Sequence, residues 1–194
     1  MREVAEIKFA KVHPNAIIPS KRDEDMGFDI YACFGEDYIV INPHETKLIP
    51  TGIASACNPK YGFLVFERGS TGSKGIARRC GVIDSGYRNE WFIGLTNTTD
   101  CFLFITKLSA EDAAKDFGEK WFNNVKINRT TIDDEVREQI GSKLKRSIFY
   151  PYSKAIAQAL VVPVPKVITD EISYDELKEI KSERGMGALG SSNK

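Results

Sequence analysis

Over its first hundred residues the chain alternates short apolar runs with turn residues, and this rhythm limits the fold more than any other feature. Ala5-Glu6-Ile7-Lys8-Phe9, Tyr38-Ile39-Val40-Ile41, Phe63-Leu64-Val65-Phe66 and Trp91-Phe92-Ile93-Gly94-Leu95 are rich in β-branched and aromatic side chains. Such runs are too short for helices, and Asn-Pro, Thr-Gly and Asp-Ser-Gly punctuate the gaps between them. Many short strands at close spacing predict an all-β barrel or sandwich.

Residues 109 to 146 break the pattern. Ser109 followed by Asp112 has the spacing of a helix start, and Ala110, Ala113, Ala114, Phe117 and Trp121 then recur on one helical face. A second stripe follows at Ile132, Val136, Ile140 and Leu144, with Thr131 or Asp133 near its start; Gly141 weakens it by ~1 kcal/mol relative to alanine. This helical insertion, about 99–150, is expected either to cover part of the barrel or to bind a protein partner. Ile156-Ala157-Gln158-Ala159-Leu160-Val161-Val162 then reads as a buried strand that must end between Pro163 and Pro165. Its amide needs hydrogen-bond partners, so Gln158 is either a core link or faces a ligand. Tyr174 to Ile180 suggests a turn or two of helix, and a glycine-rich run closes the chain.

At 194 residues, one domain spanning 1–194 is expected, with a flexible arm over about 181–194. The 27 basic residues balance the 27 acidic ones, so charge gives no reason to expect a nucleic acid or membrane partner. The four cysteines form no C-x-x-C pair and only His13 and His44 are present, which argues against a zinc site. Reduced, mostly buried thiols in a cytoplasmic protein are expected. No apolar stretch is long enough to span a bilayer, and Met1-Arg2-Glu3-Val4 does not open a signal peptide.

Three segments carry chemistry. In Gly81-Val82-Ile83-Asp84-Ser85-Gly86-Tyr87-Arg88, a hairpin would point Asp84 and Tyr87 into one pocket, unless Asp84 merely bonds backbone amides in an Asx-type turn. Glu67-Arg68-Gly69-Ser70-Thr71-Gly72-Ser73-Lys74-Gly75 offers amides, hydroxyls and two cations to phosphate oxygens, or forms a solvated turn; its spacing is not that of a P-loop. In Met26-Gly27-Phe28-Asp29-Ile30-Tyr31-Ala32 one acid sits inside an alternating strand, so Asp29 needs a cation or a metal-bound water beside it.

In order along the chain, five segments resemble the five motifs of the trimeric dUTPase family: Met26 to Ala32, Arg68 to Gly75, Gly81 to Arg88, Ala155 to Val161 and Arg184 to Ser192. Residues 43–53 resemble the family's connecting segment. The likeness covers roughly residues 5–98 and 153–192. It implies a jelly-roll-like β-barrel, a homotrimer with shared active sites, a C-terminal arm that closes over a neighbour, and cleavage of dUTP to dUMP and pyrophosphate. Mg2+ would be held mainly by the substrate phosphates and waters. Asp84 would activate the attacking water, Tyr87 would pack on deoxyribose, and the backbone at Gly81, Val82 and Ile83 would read uracil. Arg68, Gly69, Ser70, Gln158 and Arg184 would meet the phosphates, Leu189 and Gly190 would cover the base, and Asp29 would support the site.

Departures from the motifs matter as well. Gly69 replaces a serine, Ala188-Leu189-Gly190 replaces Gly-Phe-Gly, and Ala155 stands where a basic residue is common. The long segment between the third and fourth motifs resembles insertions of phage-encoded relatives. Two rival readings remain: a dCTP deaminase of the same fold, and a dUTPase-like interaction protein acting through its insertion. The Asp-Ser-Gly-Tyr hairpin fits hydrolysis better than deamination.

Overall fold

The computed structural model describes residues 4–127, 134–183 and 185. Twelve strands and four helices are described among them. β1 (Ile7–Lys11), β2 (Gly27–Ile30), β3 (Tyr38–Ile41), β4 (Thr46–Pro50), β5 (Ile53–Cys57) and β6 (Tyr61–Phe66) precede the short helix α1 (Gly69–Gly72). β7 (Ile76–Arg79), β8 (Val82–Ile83), β9 (Phe92–Asn97) and β10 (Leu103–Thr106) lead to helices α2 (Ala110–Ile127) and α3 (Asp134–Lys145). β11 (Ile148–Pro151) and β12 (Ala157–Pro163) follow, then α4 (Tyr174–Glu179). The chain divides into two compact units, Met1–Val164 and Pro165–Lys194.

In the first unit the strands form four small sheets, ordered β1-β5, β11-β10-β3, β4-β9-β7 and β2-β12-β6-β8. The expected all-β architecture is therefore present. Alternation explains the core: Phe63 and Val65 point inward from β6, Ala157 and Ala159 from β12, and Ile30 from β2. Phe9, Phe63 and Trp91 meet edge-on or tilted at its centre, with ring centroids 4.9 to 5.9 Å apart. Such pairs add to the burial of the rings themselves.

The helical segment is narrower than 99–150, because β10 and β11 lie inside that range and pair with each other in parallel. The Ser109 hydroxyl accepts from the Asp112 amide at 3.1 Å and donates to its carboxylate at 2.7 Å, so the expected start of α2 is present. Ala113 and Phe117 pack on Phe102 and Phe104 across the face of β10, while Ala110 stays exposed. The Phe117 ring meets Phe104 at 88° and 5.4 Å. From α3, Leu144 joins this cluster and Ile140 is half-buried; Thr131, Ile132 and Asp133 lie outside the described residues. The Tyr38 hydroxyl donates to Asp116 at 2.5 Å, and burial together with that carboxylate pushes its pKa up to about 12. Phe117→Ala should cost ~2–3 kcal/mol in urea unfolding, less than a fully buried phenylalanine because the ring is half-exposed. A change near zero would show that α2 does not hold to the sheet through this ring.

In the second unit α4 starts at Ser173, whose hydroxyl accepts from the Glu176 amide at 3.2 Å while the Glu176 carboxylate accepts from the Ser173 amide at 2.8 Å. Of the four thiols only Cys33 is buried; Cys57 and Cys101 are half-buried and Cys80 is exposed. The expectation of mostly buried cysteines is thus corrected. Cys80 is exposed because it occupies a tight turn between β7 and β8, with φ of 55°.

Candidate active site

One sheet carries four of the five motif segments. β2 holds Asp29, β12 holds Gln158, β6 runs into Arg68, and β8 runs into Asp84. Antiparallel register places Asp29 opposite Gln158 and Gln158 opposite Phe66. Because neighbours on a strand face opposite ways, burying Ile30, Ala157 and Ala159 turns Asp29 and Gln158 together to the outer face. Gln158 therefore faces a cleft rather than linking the core. Its amide nitrogen donates to the Glu67 carbonyl at 2.8 Å, and its oxygen lies over Gly27.

Arg68 is fixed from two sides. Its guanidinium bonds Asp29 at 2.9 Å and 3.3 Å and reaches the Ala155 carbonyl at 3.4 Å. Both side chains are about one-third exposed, 31% and 34%, so the pair is neither dry nor fully screened. Behind it Thr71, 1% exposed, accepts from the Arg68 amide at 3.0 Å and donates to the Arg68 carbonyl at 2.9 Å. This hydroxyl was not singled out by sequence; its signal is the three-residue spacing of a reciprocal cap. Gly69 and Ser70 occupy the first turn of α1, where amide N–H groups precede the first bond of the helix. A side chain at Gly75, with φ of 73°, would press on Thr98 and Thr99 at 2.8 Å.

Asp29, Arg68, Gly69, Ser70 and Gln158 line a cleft of about 820 Å³ together with Ser20, Lys21, Arg22, Glu24, Asp25 and Met26. Sequence reasoning reached Met26 but missed residues 20–25 of that wall, because a polar loop gives no periodic signal. Arg22 holds the Asp25 carboxylate with two bonds of 2.9 Å, and these push it down to about 2. The pair is therefore complete above the ordinary carboxylate range and is lost only as pH falls through about 2. A second cleft of about 390 Å³ also borders Arg68 and Asp29 and includes Ser70, Lys74, Tyr150 and Lys154. Ala155, where a basic side chain was expected, is buried, and the cation at Lys154 lines this second cleft instead.

The hairpin is separate. Val65 donates to the Gly81 carbonyl at 2.7 Å and Phe63 pairs with Ile83. A side chain at Gly81 would meet the Val65 carbonyl at 2.8 Å and collide with Nη1 of Arg78, so only glycine fits there. The Arg78 guanidinium lies over the Phe66 ring at 5.4 Å, and its amide donates to Glu67 at 2.9 Å, holding that carboxyl below its usual range. The turn closes through the Asp84 carbonyl, which accepts from the Tyr87 amide at 3.1 Å. The exposed Asp84 carboxylate has no hydrogen-bond partner among the described residues, so the Asx-type turn does not form. Tyr87 donates to the Glu90 carbonyl at 3.0 Å, and Arg88 reaches the carbonyls of Ser85 and Ser55 at 2.5 and 3.2 Å.

Asp84 and Arg68 leave the Phe63–Ile83 pair in opposite directions. At ~3.3 Å per residue they lie roughly 20 Å apart along the sheet. Arg68 also turns toward β2, whereas Asp84 sits on the far flank of β6. Arg184, Leu189 and Gly190 lie outside the described residues.

The strands thus carry a cation-and-amide cleft and, apart from it, an acidic hairpin. Residues 13–109 match the dUTPase family model. Over 99 residues the chain is 33% identical to the deoxyuridine 5'-triphosphate nucleotidohydrolase of Leptospira interrogans, covering 49% of this chain and 68% of that protein. The Helicobacter pylori (strain J99) protein of the same name is 33% identical over 98 residues, 48% of this chain and 66% of that one. The chain belongs to the dUTPase family. Among solved structures, a Staphylococcus bacteriophage 80alpha dUTPase with dUpNHpp superposes with a TM-score of 0.63 at 19% identity, covering 97% of this chain and 99% of that one. The EIAV dUTPase gives 0.54 at 18% identity, covering 88% and 98%.

Proposed function

We propose that the chain hydrolyses dUTP to dUMP and pyrophosphate as a homotrimer with shared active sites, and that it is a phage-type member of its family. The observation that carries this reading is the single sheet with a cleft of cations, amides and hydroxyls at one end and a carboxylate without a hydrogen-bond partner among the described residues at the other. One chain cannot bring Asp84 to Arg68 across roughly 20 Å, whereas cyclic symmetry sets the hairpin of one subunit at the cleft of the next. The names of the curated relatives support the substrate.

In this reading Asp84 orients a water and accepts its proton as the water oxygen bonds the α-phosphorus. The bond from that phosphorus to the α,β-bridging oxygen breaks, and its electron pair leaves with pyrophosphate. Arg68, the amides of Gly69 and Ser70, the Ser70 hydroxyl and Gln158 meet the charge that develops on the phosphates. Asp29 holds Arg68 in place. Tyr87 packs on deoxyribose and leaves no room for a 2′-hydroxyl, while the backbone at Gly81, Val82 and Ile83 reads uracil. Arg184, Leu189 and Gly190, on an arm over about 181–194, complete the site from a neighbouring subunit.

Among the described residues no three His, Cys, Asp or Glu side chains converge as a metal cage, and both Asp29 oxygens face Arg68. With Asp29 engaged in this way, magnesium would be carried in on the triphosphate, where it would neutralise phosphate charge. No described helix is long and apolar enough to cross a membrane. The regulatory reading of the insertion is weakened because Ala113 and Phe117 already face the sheet.

The test is pyrophosphate release. With magnesium, dUTP should yield one dUMP per pyrophosphate, and UTP and dCTP should yield little. A pure trimer that turns over no deoxynucleotide would sink the reading.

A further inference from the structure

The ion pair of Arg68 and Asp29 borders two clefts of unlike charge. In the larger cleft, Lys21 and Arg22 are matched by Glu24 and Asp25, and both cations are already engaged. Arg22 grips the Asp25 carboxylate, and Lys21 donates to the Asp25 and Arg22 carbonyls at 2.9 and 3.2 Å. The smaller cleft differs. Lys74 and Lys154 approach it from segments eighty residues apart in sequence, and Ser70 and Ser153 place hydroxyls beside them. Its only carboxylate is Asp29, which Arg68 neutralises. Tyr150, 1% exposed, also lines it, its hydroxyl engaged by the Ala155 carbonyl at 2.6 Å. Among the described residues neither lysine has an ion-pair partner, and Lys74 rests 5.8 Å above the Tyr150 ring.

Two unpaired ammonium groups over a hydroxyl-lined hollow suit a compact, multiply charged oxyanion. Donors from three directions can share its oxygens, while a neutral ligand would leave the charges unmatched. We infer that the cleft between Lys74 and Lys154 is a second anion site that holds a diphosphate group, sharing Arg68, Asp29 and Ser70 with the larger cleft. It rests on reading the Arg68 region as a triphosphate site. Two sources share this chemistry: the terminal phosphates of bound substrate and the released pyrophosphate.

The test uses the full chain, with Lys74→Ala/Lys154→Ala and the charge-retaining Lys74→Arg/Lys154→Arg pair. Pyrophosphate binding followed by 31P NMR should weaken about tenfold in the alanine pair, the scale of two charge-assisted contacts, and recover in the arginine pair. Affinity for dUMP should not move. If dUpNHpp binding weakens in parallel, the cleft holds the terminal phosphates of the intact nucleotide. If dUpNHpp binding is unchanged, it holds the product alone. Unaltered pyrophosphate affinity in the alanine pair overturns the inference. A chain that binds pyrophosphate through these lysines yet leaves dUTP intact would refute the hydrolase reading and leave the anion site standing.

Discussion

Asp84→Asn should lower pyrophosphate release from dUTP by roughly 10³-fold while leaving folding and dUMP affinity intact. The exposed carboxylate makes no hydrogen bond among the described residues, and the turn closes through the Asp84 carbonyl, which asparagine keeps. Asparagine also preserves side-chain volume and one oxygen for holding a water. What it loses is the ability to take that water's proton as the P–O bond forms. The expected signature is a fall in kcat with little change in KM, since the charge matters in the transition state more than in the bound ground state. If the variant retains most of its turnover, another group is the base.

Mixing two inactive variants should restore activity. Arg68→Met removes the cation bound to Asp29, and a homotrimer of it should lose about 100-fold or more, as deletion of a phosphate-stabilising donor does. Its partner in the experiment is Asp84→Asn. The two positions lie roughly 20 Å apart within one chain, and the proposed homotrimer takes them from different subunits. Co-refolding equal amounts should then regenerate about a quarter of wild-type sites, the chance that both contributing subunits carry the intact residue. A site built within one chain predicts no recovery at any mixing ratio. Size-exclusion chromatography of the mixture separates that outcome from failure to assemble.

Much of the architecture was legible because strands declare themselves locally. The run 38–41 became β3 without change, and 156–162 became β12 shifted by one residue, since alternating or continuous β-branched side chains have few other uses. The Ser109–Asp112 start of α2 was legible for the same reason: a cap depends on residues three apart. The bounds of the insertion were less so. Residues 148–151 pair with 103–106, forty-odd positions away, and nothing in either tetrapeptide announces that partner. The wall at 20–25 carries no periodicity, so it emerged only with the fold.

Sequence alone determined where β3, β12 and the start of α2 lie, and which residue types are available for phosphate chemistry. Those features follow from φ/ψ sterics, side-chain periodicity and contacts a few residues long. Tertiary structure decided what those residues face. Gln158 was undecided between core and cleft until pairing with Asp29 and Phe66 set its side of the sheet. Asp84 and Tyr87 shared a hairpin by sequence, but only the register of β8 on β6 set them at the opposite end from Arg68. The pairing of Arg68 with Asp29 and the convergence of Lys74 with Lys154 are likewise products of register. Register is chosen by which faces can be buried together, a property of the whole sheet that no short stretch contains.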